Sequence, residues 1–428
     1  MSTLPKLLID QATSTPNKVA WRQFRLGVWN EHSWSAVHVE AAAIGTGLAT
    51  LGLGVGDVVA VLADNSVTAI ASELGAMGIG CTVAVLSSDL APSTVKNILE
   101  LTEAKVAIVG NQEQFDKVVA TASSTLRTTV VIDARGFRHI ESEGRPDADQ
   151  VLTMDQLKKR SASTGDWDSR VASVESSGPA AILCVVDRPN RQVEVHRFSH
   201  DALVQHVGAL TSSSDASGAD IVAVQASIAD PIEHTLSVTG PLVLGTQVNI
   251  GQADLATQSM RQVQPTLVAF NREWLTVTAG AFDRRIAAGR GLKGFAARRG
   301  LTRRDLLTVA VGRHKFPPTK LAGMVAAVVG FVFLLFSTGL NDFLRILIVV
   351  CIALAVGLFT LFSGLSAVGS AKRGLGLVRT RAVVHDGSLS DDAMSAAAAL
   401  LGTLGVPAVV LSSSPGELLG RVHSEVLA

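Results

Sequence analysis

Along the first 270 residues, short apolar runs rich in β-branched side chains alternate with segments of helical period. Residues 58–62 (VVAVL) and 106–109 read as buried strands, each followed by a helix, at 67–77 and 112–122, and residues 129–132 form a third strand. The polar stretch 147–177 reads as a linker or surface excursion. Beyond it the pattern predicts strands at 180–186, 221–224, 246–250 and 267–270, with helices at 200–211 and 254–263. Near the end, strands at 382–384 and 408–411 flank a helix at 391–404. Such alternation predicts a layered α/β fold with mainly parallel sheets.

Two uncharged stretches interrupt this pattern, from Leu321 to Leu340 and from Ile346 to Val368, with only residues 341–345 (NDFLR) between them. At about 1.5 Å per helical residue each is long enough to cross a hydrocarbon core of roughly 30 Å. So short a polar connection returns the chain antiparallel, which predicts a transmembrane helical hairpin inserted within the α/β domain. The expected organisation is a first α/β subdomain with linker (1–175), a second (176–283), a basic juxtamembrane segment (284–320), the hairpin (321–368) and a C-terminal βαβ remnant (369–428).

Charge orients the hairpin. Between Arg284 and Lys320 stand eleven Lys or Arg and one acid, Asp305, and Lys372, Arg373, Arg379 and Arg381 follow the second stretch. By the positive-inside rule both flanks are cytoplasmic, giving a cell-membrane protein with two spans. The dense basic flank also suits anionic headgroups, at about 1 kcal/mol per residue held near the surface. Residues 1–16 lack the apolar core of a signal peptide, so no export of the N-terminal part is expected. The formal net charge of zero and the 47% apolar content fit packed domains and give no ground for a nucleic-acid partner. Cys81, Cys184 and Cys351 show no metal-ligand spacing and read as reduced packing residues. Gly52, Gly54 and Gly56 precede a strand instead of following one, so they read as a turn, not a nucleotide loop. Gly323, Ala326, Ala327 and Gly330 recur at helical spacing, as in faces that let membrane helices approach closely.

Several landmarks keep a common order: residues 16–20 (PNKVA), Gly27-Val28-Trp29 with Trp34, residues 56–65 (GDVVAVLADN), 73–80, 113–117 and 133–138, Ser199-His200-Asp201-Ala202-Leu203, Gly240-Pro241-Leu242, Gln264-Pro265-Thr266 and Arg272-Glu273-Trp274. In that order they resemble the adenylate-forming (AMP-binding) superfamily, in particular a truncated and degenerate bacterial long-chain acyl-CoA synthetase. The resemblance implies layered sheets like that family's large N-terminal domain. It also implies a phosphate loop of the form T-S-G-T-T-G-x-P-K-G just before Ser199 and His200, where glycine backbone, hydroxyls and a lysine cradle ATP.

The corresponding positions depart from it. Val186, Asp187, Arg188, Pro189, Asn190, Arg191, Gln192, Val193, Glu194 and Val195 keep no signature residue, and Glu194 stands at the lysine position. Carboxylates there would repel a triphosphate. The family's S-G-G-A-P-L corresponds to residues 384–389 (VHDGSL) and its Y-G-x-T-E to residues 412–416 (SSSPG), in a chain with no tyrosine. The sequence stops at Ala428, before the family's lysine-bearing small domain. His196, His200, His206 and His234 fall near the implied pocket; His200 and Asp201 at a helix start, and His385 and Asp386 at a strand end, read as structural, Asp201 through capping and the helix dipole.

The reading is a membrane-anchored, catalytically degenerate synthetase-like protein, a binding or scaffold subunit in lipid or fatty-acid handling. No catalytic, cofactor or metal residue is assigned. Expected partners are membrane lipids, another membrane protein or lipid complex, and a long-chain fatty acid. One alternative is an ATP-dependent long-chain fatty acid-CoA ligase with an unorthodox site, which would need ATP and magnesium. Another is an accessory subunit of a lipid transport complex.

Overall fold

The computed structural model describes residues 2–121, 125–137, 150–161, 164–187, 192–224, 226–251, 256–269, 354, 379–380, 382–385, 408–410 and 425–427. The expected hairpin, with Leu321, Leu340, Ile346 and Val368, lies outside them apart from residue 354, and the basic segment and the helix expected at 391–404 lie outside them entirely. No helix among the described residues is long and apolar enough to cross a membrane.

Two sheets form the body. One has seven strands in the order β14-β13-β12-β10-β11-β1-β2, built from β1 (Val19–Arg25), β2 (Val28–Ser33), β10 (Ile221–Val224), β11 (Gln247–Ile250), β12 (Leu267–Ala269), β13 (Ala382–His385) and β14 (Ala408–Val410). All its pairings are parallel except the β1–β2 hairpin. The other has eight, in the order β15-β9-β8-β4-β3-β5-β6-β7, from β3 (Val58–Leu62), β4 (Thr82–Leu86), β5 (Val106–Val109), β6 (Thr128–Val131), β7 (Gln150–Thr153), β8 (Pro179–Asp187), β9 (Gln192–Ser199) and β15 (Glu425–Leu427). From β8 to β7 it is parallel, while β9 runs antiparallel to β8 and β15 antiparallel to β9. Each sheet draws strands from both sides of residue 175.

A parallel sheet needs cover on both faces, and the central strands show it. Val61, Val85, Ile108 and Leu183 point into one core, whereas Ala60, Ala84, Ala107 and Ile182 point into another. The first core lies between the two sheets and holds helices α1 (Leu4–Ser14), α2 (Trp34–Thr50), α3 (Val67–Gly78) and α8 (His200–Ser214). The second is closed by α4 (Pro92–Thr102) and α5 (Gln112–Thr121). Serine hydroxyls start the inner helices: Ser33, Ser66 and Ser199 accept from the backbone N–H of Ala36, Ala69 and Ala202.

The stretch 147–177, expected to be a linker, instead carries β7, α6 (Met154–Lys159) and α7 (Thr164–Val171). Its polar composition hides a few residues that reach the core. Trp167 is fully buried and donates its indole N–H to the carbonyl of Gly75 at 2.9 Å. It fits a notch between α2 and α3 that exists because those helices carry glycine there. A methyl on Gly78 would overlap the indole, and one on Gly45 would overlap both the ring and the Gly75 carbonyl. Trp167→Ala is expected to lower the unfolding free energy by about 3–5 kcal/mol. Gly78→Ala should lower it by about 1–3 kcal/mol through overpacking. Denaturant titration of both variants checks the pair, and an unchanged midpoint for Trp167→Ala would show that α7 is a dispensable cover.

Candidate functional site

Ligands in open α/β sheets bind outside the carboxyl ends of the strands, and here the carboxyl ends of both sheets are pinned to each other. Asn65, just after β3, donates its amide N–H to the Ala226 carbonyl at 2.6 Å and accepts from the Ile228 N–H at 3.0 Å, just after β10. Gln23 of β1 accepts from the N–H of Val67 at the start of α3 at 3.2 Å. Arg25, at the end of β1, pairs with Asp133 beyond β6 at 2.8 Å. Two arginines, first Arg135 and then Arg25, hold the Asp133 carboxyl down at about 2. These contacts define a cleft edge formed by β3, β6, β1 and β10.

Behind that edge lies a polar cluster within the inter-sheet core. After β10 the chain enters α9 (Pro231–His234), whose N–H groups at Ile232 and Glu233 are capped by Asp230, and continues as a single π-turn, Thr235–Thr239. π-Turns widen a helix and recur at functional sites. His234 donates from Nε2 to Glu73 Oε2 of α3 at 3.2 Å, both side chains fully buried, and its Nδ1 lies 3.3 Å from the Thr239 hydroxyl. Glu233, also fully buried, accepts from the Ala226 N–H and from the Ser237 hydroxyl, each at 3.1 Å. The Ser237 carbonyl in turn accepts from the indole of Trp21 at 2.9 Å. The second Glu73 oxygen, Oε1, is buried without a hydrogen-bond partner. Sequence reasoning placed His234 near the pocket but missed Glu73 and Glu233. The available signal was a carboxylate at position 73 in a helix whose other residues are almost all apolar or small.

The remaining histidines divide. His200 is buried and its Nδ1 accepts from the Leu4 N–H at 3.3 Å, so it caps α1 from 196 residues away; burial pushes its pKa down to about 4, against a smaller opposing pull from Asp201. The capping of α8 falls to Ser199, not to Asp201. Asp201 occupies the first turn, where it suits the helix dipole and accepts from the Ser176 hydroxyl at 3.1 Å. His206 is held below its ordinary value by burial and then by His234. His196 is buried in β9, and His385 ends β13 opposite Val410. Burial raises the Cys81 thiol to about 12, as suits an unreactive packing residue. Among the described residues no group of three or more His, Cys, Asp or Glu could hold a metal ion.

The positions corresponding to the phosphate loop fall on a β-hairpin. Val186 pairs with Val193 and Asp187 with Gln192, Glu194 lies opposite Val185, and Val195 opposite Cys184. Six of the ten positions from Val186 to Val195 are therefore strand, with the other four, 188–191, between β8 and β9. Arg188, Asn190 and Arg191 lie outside the described residues. Beyond the hairpin, β15 pairs with β9 at Val193, Glu194 and Val195.

This layered two-sheet architecture is like that of the N-terminal domain of adenylate-forming enzymes. Residues 8–183 match the family described as AMP-binding enzyme. Solved structures agree at the level of fold: VinN, with 14% identity and a TM-score of 0.50 over 66% of this chain and 64% of that one, and coronafacic acid ligase from Pectobacterium brasiliense, with 14% identity and 0.53 over 68% and 54%. The anthranilate CoA ligase AuaEII, solved with anthranoyl-AMP, gives 17% identity and 0.52 over 65% and 51%. The chain thus spans between about half and two thirds of these neighbours. No curated protein matches it in sequence. These likenesses agree with the resemblance carried by the landmarks: the AMP-binding enzyme match over residues 8–183, and the fold over the part shared with these structures.

Two predictions follow from the buried polar groups. Removing one partner of a buried hydrogen-bonded pair strands the other, so His234→Leu should destabilise by about 1–3 kcal/mol, whereas Glu73→Leu with His234→Leu should destabilise less than His234→Leu alone. A double-mutant cycle measures this, and additive effects would show that the two groups do not support each other. For His200 the folded value of about 4 lies below the ordinary 6.5, so on acidification the unfolded chain takes up the proton first. Its contribution to stability is complete above pH 6.5 and is lost as the pH falls toward 4, by on the order of 3 kcal/mol. His200→Asn keeps an acceptor for the Leu4 N–H and should flatten the pH dependence of the unfolding free energy in that window.

Proposed function

We propose that this chain is a membrane-anchored, catalytically degenerate acyl-CoA synthetase-like protein that serves as a binding or scaffold subunit in lipid or fatty-acid handling. One observation carries the loss of catalysis. The strands β8 and β9 pair from Pro179↔Ser199 to Asp187↔Gln192, across most of the positions where the family's flexible phosphate loop belongs. A loop cradles phosphates by aiming free backbone N–H groups at them, but ladder pairing commits strand N–H groups to the neighbouring strand. With Glu194 at the lysine position as well, neither the donors nor the cation needed for a triphosphate is supplied.

Anchoring is carried by the two uncharged stretches at 321–340 and 346–368 with basic residues on both flanks, which favours a cytoplasmic α/β body. Partners of this body would be membrane lipids, a neighbouring membrane protein and a long-chain acyl group. The enzymatic alternative, an ATP-dependent long-chain fatty acid-CoA ligase with an unorthodox site, draws on the family match over residues 8–183. One assay separates them.

The purified full chain is expected to show no acyl-dependent exchange of pyrophosphate into ATP and no thermal stabilisation by ATP with magnesium. A long-chain fatty acid should still raise its melting temperature, since an apolar tunnel needs none of the phosphate machinery. An ATP-dependent melting shift that disappears in Asp187→Ala or Glu194→Ala would establish the enzymatic alternative instead.

A further inference from the structure

The turn joining β1 to β2 is built against local preference. Arg25 pairs with Val28, so the connection is the two residues Leu26 and Gly27, and both have positive φ, 52° and 84°. A two-residue hairpin turn of this kind favours Asn-Gly or Asp-Gly, because those side chains tolerate the left-handed region. Leucine is strained there and gains nothing from burial, since Leu26 is 78% exposed and its neighbour Val28 57%. Strain and exposure on the same apolar residue point to a role outside the fold.

The rim of the tip is cationic. Arg25 and Arg135, with side chains 50% and 64% exposed, share the single carboxylate of Asp133, and Arg22 pairs with Glu31. Three guanidiniums thus face two carboxylates around an apolar point. An apolar wedge with basic flanks matches the interface of an anionic bilayer, where the wedge enters the acyl boundary and the guanidiniums meet headgroup phosphates.

Position gives the third argument. Strands β1, β11, β10 and β12 are parallel neighbours, so the Leu26 turn and the end of β12 at Ala269 lie on one edge of the sheet. At about 4.8 Å per strand they stand roughly 14 Å apart. The sequence after Ala269 leads directly to the basic segment 284–320 and the first uncharged stretch. We propose that the β1–β2 tip is a second membrane contact, with Leu26 and Val28 inserted into an anionic lipid surface between Arg25 and Arg135. The contact turns the carboxyl edge of the seven-stranded sheet, and with it the candidate cleft, toward the bilayer. This inference rests on the membrane-anchored reading proposed above.

The test uses the full chain, with Cys184 and Cys351 changed to Ala and Leu26→Cys labelled with an environment-sensitive fluorophore; buried Cys81 stays unmodified. The protein is reconstituted into vesicles of phosphatidylcholine alone or with about one third phosphatidylglycerol. The expected result is a blue-shifted emission, quenched by doxyl-labelled lipid, at least about threefold stronger in the anionic vesicles because attraction grows with surface potential. Water-like emission in both vesicle types would overturn the proposal, and so would a blue shift without doxyl quenching, which means the tip is covered by protein. Carbonate extraction of the same vesicles tests the anchor separately: a chain that stays in the pellet with a water-like tip sinks only the second contact, whereas a chain released by carbonate sinks the anchoring itself. As an independent check, Leu26→Asn should raise the melting temperature by creating the favoured Asn-Gly turn. In the otherwise cysteine-replaced chain, Val28→Cys labelled as above should then lose at least half of its quenching when Leu26→Asn is added. A lowered melting temperature, or unchanged quenching at position 28, counts against the proposal.

Discussion

The burial of α3 is the constraint on which the rest of the body depends. Apart from Thr68, every residue from Val67 to Gly78 is buried, so this helix has no face toward solvent and must be matched on all sides. One side meets the strands β3 and β4, another meets α2 through glycine contacts, and Trp167 fills the notch left beside Gly75 and Gly78. A helix surrounded in this way cannot shift without opening the inter-sheet core. Its single charged residue, Glu73, is held by His234 from the far sheet's connection. The inter-sheet spacing and the position of the cleft edge follow from the same helix, since Asn65 and Gln23 fix its entry.

How much of this could be read from the sequence depended on the range of the determining interaction. The strands at 58–62, 106–109 and 221–224 emerged within a residue or so, because a strand buried on both faces must be apolar throughout. The β1–β2 hairpin was missed, since Arg22, Gln23, Asn30 and Glu31 break the apolar run and Leu-Gly is not a recognised turn pair. In the polar stretch 147–177 the apolar residues buried among the described ones are Leu152, Met154, Leu157, Trp167 and Val171, too irregularly spaced to show a period. The landmarks shared with the adenylate-forming fold compensated for part of this, because order along the chain survives where periodicity fades. The Glu73–His234 contact joins residues 161 apart, and no local pattern carries such a pairing.

The candidate site also separates two uses of backbone polarity. In the cleft edge, side-chain amides such as Asn65 satisfy loop N–H and C=O groups that strands leave unpaired at their ends. In the β8–β9 hairpin the backbone satisfies itself, and β15 adds a further row of pairing along β9.

The pairing of β12 with β13 sets a timetable for synthesis. Thr380 donates its hydroxyl to the Pro265 carbonyl across 115 residues, and the two strands align with the same offset, Leu267 beside Ala382. At about 5–20 residues per second the ribosome needs roughly 6 to 23 s to make what lies between. During that interval β12 offers an unpaired parallel edge while the two uncharged stretches leave the exit tunnel. Anything that binds those stretches as they emerge would therefore meet a nascent chain whose seven-stranded sheet is still incomplete, and completing the sheet is a late event in synthesis.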